Sequence, residues 1–549
     1  MQKLHKSKLI NYYNSIHIFG EGVMFDRMSE RFFKMRKHLE EHALDRYFVL
    51  GNKTNFVILM ATGFIGDHYY MPTPEIVAQT VYLHKEISNS DLEFHKTCLE
   101  VFRTISFIKD QVLIGIAFQF KHKKYDEDML NLLLTFPPSM ILRLIKILRS
   151  GVAGVGYSSY AKKMIKKVIE SWPVNRFEYY AMRYPKQMRT ILKLTHPKLS
   201  GMHHDIAGWL LARKSKRKAP TERLKVFEEI TKISDPIKRI DLILNSDYLF
   251  PFEVLRSRAK KDDIKKYIDA VGIEKFTERL MKIISPNAFA FNLRYIASFV
   301  PDKLLARYAA KKIESGLESG TLSLFEVARA VVVMKKTLPE TAKVMAKIYE
   351  KHSEKILDAL LPGLETPKLV AVVDASGSMF FQNLRHLLPL LVVFKKFVTK
   401  IITFDEEATL ENIEKLDLFN IDAFYDYLEH TKGGGTNIAA ALELALSVSE
   451  PDEIILLFTD EQENAKHEGL QANDVIKNKN NKLIILNASP YPARAFNLKE
   501  KNILGVPVTR PETLIAALRM MQLYNLKDEE VKEYVLKLVA KRIKRKKKK

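Results

Sequence analysis

The alternation of short apolar segments with helical ones after Pro367 constrains the fold of this chain more than any other feature. The four strand candidates are LVAVV at 369–373, KIITF at 400–404, EIILLF at 453–458 and LIILN at 483–487. The helical candidates are 383–397, 437–449 and 511–521. Nearly continuous apolar strands that alternate with helices indicate a parallel sheet covered on both faces. We therefore predict a doubly wound, Rossmann-like α/β domain over residues 366–522.

The chain before this domain has helical periodicity instead. One helix face is outlined by residues at i, i+3, i+4 and i+7, namely Ile264, Tyr267, Ile268 and Val271. Many such amphipathic segments, separated by short polar breaks, favour a stack of helical pairs of the HEAT kind, although no clean sequence period is visible. We predict a multidomain protein with an all-α helical-repeat module over 1–365, the α/β domain, and a helix with a basic tail over 523–549.

The net charge of +23 is unevenly distributed. Residues 366–522 contain 16 Lys and Arg against 21 Asp and Glu, a net charge of −5, whereas 523–549 contain 11 against 4, or +7. Residues 1–365 therefore carry +21. Such segregation favours a polyanionic partner, most often nucleic acid. A lysine-rich proteome, as in a thermophile, is the alternative, but it would not leave one domain acidic.

Cysteine usage and hydropathy set the expected compartment. Cys98 is the single cysteine, so no intramolecular disulfide can form, and we expect it to be a small buried core residue. No segment reaches the ~18 uninterrupted apolar residues of a membrane span. The N-terminus has no apolar signal region with a cleavage site. We expect a cytoplasmic protein without membrane association.

Oxygen-bearing side chains follow two of the predicted strands. Asp374, Ser376 and Ser378 come directly after the first strand, and Asp460 ends the strand EIILLFTD. Thr436 lies in the loop KGGGTN, whose glycines permit a close approach. Two carboxylates and three hydroxyls at one sheet edge are hard donors of the kind that Mg²⁺ prefers. The arrangement resembles the metal-ion-dependent adhesion site of von Willebrand A domains, with all five positions matched.

Catalysis at these serines is not expected. A serine nucleophile needs an activating base, and His386, His430 and His467 are predicted to lie on helices or their ends. The sequence has no Walker A, HExxH, paired-cysteine zinc or GxSxG motif. We predict that the protein is not an enzyme.

The order of the two modules and several segments resemble the Ro autoantigen family, a TROVE module followed by a von Willebrand A domain. The similar segments are KKMIKKVIESW, ILKLTHPK, FAFNLRYIASF, KLVAVVDASGSM, GGGTN and LLFTDEQEN. The resemblance implies a ring of HEAT-like repeats closed by the A domain, and we expect the protein to be a monomer. The same resemblance implies binding of small structured Y RNAs on the outer surface and of single-stranded 3′ ends of defective noncoding RNAs in a basic central hole. At the metal, it implies an acidic ligand from a partner, such as a ribonuclease or another acidic protein.

The resemblance also implies RNA-contacting residues. Lys163, Lys166, Lys167 and His196 match positions of the family that contact RNA. The three lysines recur at spacings of 3 and 4 and share one helix face, so they can meet successive phosphates; a solvated lysine face is the alternative. The basic loop between Ala212 and Pro220 is either an RNA contact or a solvated linker, and its candidate residues are Arg213, Lys214, Lys216 and Arg217.

A second functional hypothesis is a protein-interaction adaptor. Some helical proteins with a C-terminal A domain are partners of MoxR-type AAA+ ATPases, and the metal would then bind a carboxylate of the ATPase. This hypothesis does not account for the +21 charge of residues 1–365.

Overall fold

The computed structural model of the protein describes most of the chain from Gly51 onward, and every structural statement below concerns these residues. They are 51–62, 73–105, 109–122, 127–151, 156–212, 218–245, 250, 252–319, 321–322, 324–353, 360–361, 363–380, 384–417, 420–477, 479–487, 495–496, 502–507, 511–523 and 526–547.

The described part of the chain before Pro367 is helical, as predicted. Its helices are α1 (Asn52–Thr62), α2 (Thr73–Ser90), α3 (Leu92–Ile105), α4 (Lys109–Lys121), α5 (Glu127–Leu134), α6 (Pro138–Ser150), α7 (Ser159–Glu170), α8 (Val174–Arg183), α9 (Pro185–Thr195), α10 (Gly201–Leu211), α11 (Glu222–Lys232), α12 (Pro236–Asn245), α13 (Phe252–Arg258), α14 (Lys261–Val271), α15 (Ile273–Ile283), α16 (Pro286–Phe291), α17 (Leu293–Ala297), α18 (Asp302–Glu318), α19 (Leu324–Met334) and α20 (Pro339–His352). None of the helices searched in the described residues is long and apolar enough to cross a bilayer.

The amphipathic pattern explains how these helices pack. In α14, Ile264 and Tyr267 are buried while Ile268 is half-buried, so the predicted face is the packed one. Gly272 separates α14 from α15 with φ of 86°, a left-handed backbone that glycine adopts without strain. Helices near in sequence pack together, α6 with α9, α8 with α10 and α12 with α14. The prediction of a helical-repeat part followed by an α/β domain is confirmed.

The α/β domain contains a mixed sheet. Its strands in the described residues are β1 (Lys368–Asp374), β2 (Val398–Phe404), β3 (Ala408–Glu411), β4 (Glu453–Thr459), β5 (Lys482–Asn487) and β6 (Ile503–Pro507). Their order is β3-β2-β1-β4-β5-β6, parallel except for the pairing of β3 with β2. The helices are α21 (Gly377–Phe380), α22 (Leu384–Val393), α23 (Ile421–Thr431), α24 (Ile438–Val448), α25 (Ala472–Ile476) and α26 (Pro511–Leu523), with short 3-10 turns at Lys395–Phe397 and Ile413–Lys415. All four predicted strands are present, and β3 and β6 were not foreseen.

The chain divides into two compact units. One comprises residues 1–119 and 352–549, and the other residues 120–351. The predicted limits at 365 and 522 stay a prediction, since they follow sequence composition rather than contacts. Residues 120–351 contain 46 Lys and Arg against 24 Asp and Glu, a net charge of +22. Nearly all of the excess positive charge of the protein therefore belongs to this second unit.

The last helix, α27 (Asp528–Lys547), packs against the first helices of the chain. It contacts α1 and α3, and α26 also contacts α1. Oδ1 of Asp528 accepts hydrogen bonds from the backbone N and the Oγ1 of Thr54, both at 2.9 Å, and Oδ2 accepts one from Lys53 N at 3.2 Å. Asp528 therefore caps the free amide groups at the start of α1 from the other end of the chain. The predicted C-terminal helix is present and continues to Lys547.

Replacing Asp528 with alanine should loosen α1. Losing a helix cap typically reduces stability by about 1–2 kcal/mol, so the amides of α1 should exchange their hydrogens roughly five- to thirtyfold faster. Hydrogen exchange of peptides covering Asn52–Thr62 measures this effect. Glu529→Ala is the matched control, because Glu529 is exposed and lies in the same helical turn. Equal exchange in the two variants would contradict the role of Asp528.

Candidate metal centre and basic helical surface

The candidate metal-binding residues lie at the carboxyl ends of β1 and β4, the neighbouring strands at which the strand order of the sheet reverses. Strands β1 and β4 are neighbours, with Val373 paired to Phe458. Asp374 is the last residue of β1, and Asp460 follows the last residue of β4. The strand order runs outward from β1 to β2 on one side and from β4 to β5 on the other. The carboxyl ends of such strands form the crevice in which doubly wound folds bind ligands.

Hydrogen bonds fix both carboxylates. Oδ1 of Asp374 accepts a bond from Ser376 N at 2.9 Å, and its Oδ2 accepts one from Thr459 Oγ1 at 2.6 Å. Oδ1 of Asp460 accepts a bond from Gln462 N at 3.2 Å. The hydroxyl oxygens of Ser376 and Ser378 are 3.4 Å apart. Asp374, Ser376 and Ser378 are therefore held together at the end of β1.

The glycine loop brings Thr436 to the same place. The backbone N of Gly377 donates to the carbonyl of Gly434 at 3.3 Å, so the loop lies against the turn that carries the two serines. A Cβ on Gly377 would be 3.1 Å from the carbonyl oxygen of Gly433, which leaves little room for any other residue. Asn464 Oδ1 accepts a bond from Thr436 N at 2.7 Å and fixes the end of the loop. All five predicted metal ligands thus lie in or directly beside the segments that follow β1 and β4 and in the glycine loop, at one end of the sheet.

Burial makes the charged form of the two carboxylates energetically costly unless a cation lies beside them. Asp374 and Asp460 are 0% and 2% exposed, Ser376 and Thr436 are also buried, and Ser378 is half-buried. Burial raises the pKa of Asp374 to about 7, and the nearby charge of Asp460 acts in the same direction. Within the described ranges no Lys or Arg forms an ion pair with either carboxylate. The residues fit a small divalent cation, which would supply the missing positive charge.

The donor atoms of the candidate site decide which metal ion it suits. In the part of the chain that the structure describes, no group of three or more His, Cys, Asp or Glu side chains is placed to hold a metal ion of any kind. The oxygen donors at the β1 and β4 ends instead suit Mg²⁺, which takes few protein ligands and retains water in its remaining positions.

Several residues that support the site were not foreseen. Thr459 holds Asp374, as described above, and its Oγ1 also accepts a bond from Glu461 N at 3.0 Å. Glu461 is buried with φ of 57°, and its carboxylate accepts a bond from Asn487 Nδ2 at 2.6 Å. Asp405 Oδ2 accepts bonds from the N–H groups of Gly433 and Gly434, both at 3.2 Å. The acidic segments DEE at 405–407 and TDEQEN at 459–464 were the available sequence signal, but their partners are distant in sequence.

One histidine placement was wrong. His467 lies in the loop between β4 and α25 rather than on a helix, because the next helix begins only at Ala472. Its Nε2 is 2.6 Å from Oε2 of Glu443 on α24. His430 lies on α23, as predicted, and its Nδ1 is 2.6 Å from the carbonyl oxygen of Asp426. These two contacts do not involve Ser376 or Ser378.

The three candidate lysines lie on α7 as the spacing predicts. Ser158 Oγ accepts a bond from Ala161 N at 3.2 Å and caps the start of this helix. A buried apolar stripe anchors α7 and leaves Lys163 exposed and Lys166 and Lys167 half-buried. These cations therefore lie on the face away from the core.

The segment that contains His196 lies close to the C-terminal end of α7. His196 ends α9 in a left-handed conformation with φ of 49° and its side chain is exposed. Two residues later, Lys198 N donates a 2.7 Å bond to Glu170 Oε1, the last residue of α7. The structure thus brings the histidine segment and the basic helix together. Outside the described residues lie the candidates of the basic loop, Arg213, Lys214, Lys216 and Arg217.

Comparison with known proteins identifies the fold. No protein-family model matches the chain, and no curated protein matches it significantly in sequence. The crystal structure of the Deinococcus radiodurans Ro (RSR) protein is similar, with a TM-score of 0.57 and 12% sequence identity over 85% of this chain and 100% of that chain. The resemblance to the Ro family is thereby confirmed at the level of the fold. This chain has the fold of an Ro protein, a helical-repeat part followed by an α/β domain.

Proposed function

We propose that this protein is a Ro-type RNA-binding protein. The observation that carries the proposal is the coincidence of a Ro-like fold with a strongly basic helical unit. The likeness extends over the whole of the Deinococcus Ro chain, and residues 120–351 carry a net charge of +22. Phosphate neutralisation by such a surface supplies most of the affinity of a protein for RNA.

The RNA would be bound as in the Ro family. A small structured noncoding RNA, Y-like in character, binds the surface formed by Lys163, Lys166, Lys167 and His196. Single-stranded 3′ ends enter a cavity of the helical-repeat ring, and the protein serves in quality control of noncoding RNA. Lysine contributes a point charge rather than a bidentate fork, so these contacts recognise the backbone rather than the base sequence.

The α/β domain serves as a docking module in this proposal. Asp374, Ser376, Ser378, Thr436 and Asp460 hold Mg²⁺ directly or through water, and the ion binds an acidic group of a partner protein such as a ribonuclease. The chain's own residues position the ion and supply no nucleophile or base, so the protein is not an enzyme. The MoxR-type adaptor hypothesis has less support, because the structural likeness is to an Ro protein.

Salt dependence tests RNA binding by the full chain. Anisotropy of a fluorescein-labelled single-stranded RNA should show affinity falling linearly on a log–log scale, with a slope of about −0.7 for each phosphate neutralised. Substitution of Lys163, Lys166 and Lys167 by alanine, which favours helix, should make this slope about 2 units shallower. The matched control replaces three exposed lysines of the acidic domain, Lys466, Lys477 and Lys479. Absence of binding at 50 mM salt would refute the proposed function.

A further inference from the structure

Tyrosine rings hold arginine side chains along α8. The Cζ of Arg176 is 5.3 Å from the ring centre of Tyr180. Arg183 contacts two rings, with its Cζ 5.7 Å from the centre of Tyr179 and 5.4 Å from that of Tyr184. The Arg183 side chain is nevertheless 36% exposed. The Tyr179 hydroxyl and the Glu253 carboxylate accept hydrogen bonds from Arg183 and therefore hold a guanidinium group that solvent can still reach.

A second group of the same kind lies on α13, α14 and α17. The Cζ of Arg256 and the Nζ of Lys261 are each 5.9 Å from the ring centre of Tyr295. Arg256 also donates a 2.8 Å bond to Asn292 Oδ1. The residue before Asn292, Phe291, is 58% exposed, which makes it the most exposed of the large apolar side chains that the structure describes.

The two groups form one surface. Arg183 makes a 3.1 Å ion pair with Glu253 at the start of α13. Glu253 and Arg256 are three residues apart on this helix and are therefore neighbours on one face. We name this surface the tyrosine belt; it consists of Tyr179, Arg183, Tyr184, Arg256, Lys261, Tyr295 and, at its end, Phe291.

Two acidic side chains near the belt form ion pairs, one of them with an arginine of the belt itself. Glu253 pairs with Arg183, and Asp263 of α14 lies 3.7 Å from Arg239. Five cation–ring pairs occur among the described residues between 176 and 295. Energetically significant pairs occur about once in 70–80 residues, so contacts of this kind are frequent in this segment.

We propose that the tyrosine belt binds a single-stranded segment of RNA by base stacking. The proposal rests on the RNA-binding function proposed above and assigns it a second surface. Phe291 and the outer faces of the Arg183 and Arg256 guanidinium groups are the stacking planes, and Lys261 neutralises a phosphate. Unpaired bases stack on aromatic rings and on guanidinium planes. The net charge of +22 on this unit complements the RNA backbone.

Two RNA probes of equal charge, one with bases and one without, distinguish the contribution of base stacking to affinity from that of charge. The probes are a fluorescein-labelled decauridine and a ribose-phosphate decamer of the same length without bases, titrated against the full chain. Wild type should bind decauridine more tightly. Phe291→Ala should weaken decauridine binding about tenfold and leave the baseless decamer unaffected, since stacking contributes about this much for one base. The double variant Arg183→Lys with Arg256→Lys should behave similarly, because lysine keeps the charge but lacks the plane.

Two matched control variants show whether a change in affinity is specific to substitutions in the belt. Leu410→Ala removes an exposed apolar side chain of β3, 52% exposed, and Arg258→Lys changes an exposed arginine of α13 that lies outside the belt. Neither should alter decauridine binding. Equal affinity of wild type for both probes, or unchanged binding by Phe291→Ala, would overturn the belt while leaving the Ro-type function in place. Failure of wild type to bind either probe at low salt would overturn both.

Discussion

Replacing Asp374 with asparagine is expected to abolish Mg²⁺ binding by the full-length protein. Asp374 is one of the two carboxylates among the five candidate ligands, and the other three are neutral hydroxyls. Asparagine has the same shape and can still accept the bond from Ser376 N, which is 2.9 Å long in the native protein. The substitution therefore removes the charge that attracts the ion and preserves the local hydrogen bonding.

Thermal unfolding with and without Mg²⁺ measures the effect. A ligand at 100 times its Kd stabilises the folded state by about 2.7 kcal/mol, so saturating Mg²⁺ should raise the Tm of wild type and leave that of Asp374→Asn unchanged. RNA affinity should be nearly the same in both proteins, because the site lies in residues 366–522, whose net charge is −5. Asp426→Asn, an exposed carboxylate of α23, is the control and should respond to Mg²⁺ like wild type.

Two results would contradict this assignment. A wild-type Tm that does not depend on Mg²⁺ would show that the oxygen cluster is not a magnesium site. An Asp374→Asn protein with the wild-type response would show that the ion binds elsewhere. If Asp374→Asn lost RNA affinity as well as its response to Mg²⁺, RNA binding and metal binding would not be separate functions of different parts of the chain.

The segments that carry the candidate metal ligands could be located from the sequence because their signal is local. Asp374, Ser376 and Ser378 follow a strand that is buried along its length, so both the strand and its end are visible in the sequence. Strand β3, ATLE at Ala408–Glu411, was missed because it is short and mostly not buried. Strand β6, ILGVP at Ile503–Pro507, contains a glycine and a proline that weaken the strand pattern.

The supporting contacts could not be predicted because they join residues far apart in the chain. Thr459 and Asp374 are 85 residues apart, and Thr54 and Asp528 are 474 apart. Such pairs leave no periodicity in a single sequence. For the same reason, composition alone placed the positive charge somewhere in residues 1–365, whereas contacts show that residues 120–351 form a unit of their own.

Acid is expected to destabilise the helices α2 to α4 through a buried histidine pair. His84 and His95 are both 0% exposed, with His84 Nδ1 2.9 Å from His95 Nε2. Gln119 Nε2 lies 2.6 Å from His95 Nδ1. The close packing extends to Gly115, where a Cβ would be 2.9 Å from Cε1 of His84. A proton added to His84 would therefore be a buried charge.

The direction of the pH dependence follows from this burial. Burial lowers the pKa of His84 from 6.5 to about 3, and a contact with the Gln111 side chain only partly opposes the shift. Between these two pH values the unfolded chain binds a proton at His84 that the folded state does not. The neutral His84 therefore does not reduce the free energy of unfolding above pH 6.5, and this free energy decreases as the pH falls below that value. At pH 4.5, two units below the unfolded pKa, the loss should be about 3 kcal/mol.

Hydrogen exchange of peptides from 73–121 at pH 7 and 4.5, corrected for the intrinsic rate, measures this loss. Tryptophan fluorescence would not report it, because both tryptophans, Trp172 and Trp209, belong to the other unit. His84→Gln should reduce the acid-induced loss of protection by about 3 kcal/mol even if the variant is less stable at both pH values. His204→Gln, which changes an exposed histidine of α10, should leave the loss as in wild type. If His84→Gln and His204→Gln show the same pH dependence, His84 is not the source of the acid sensitivity.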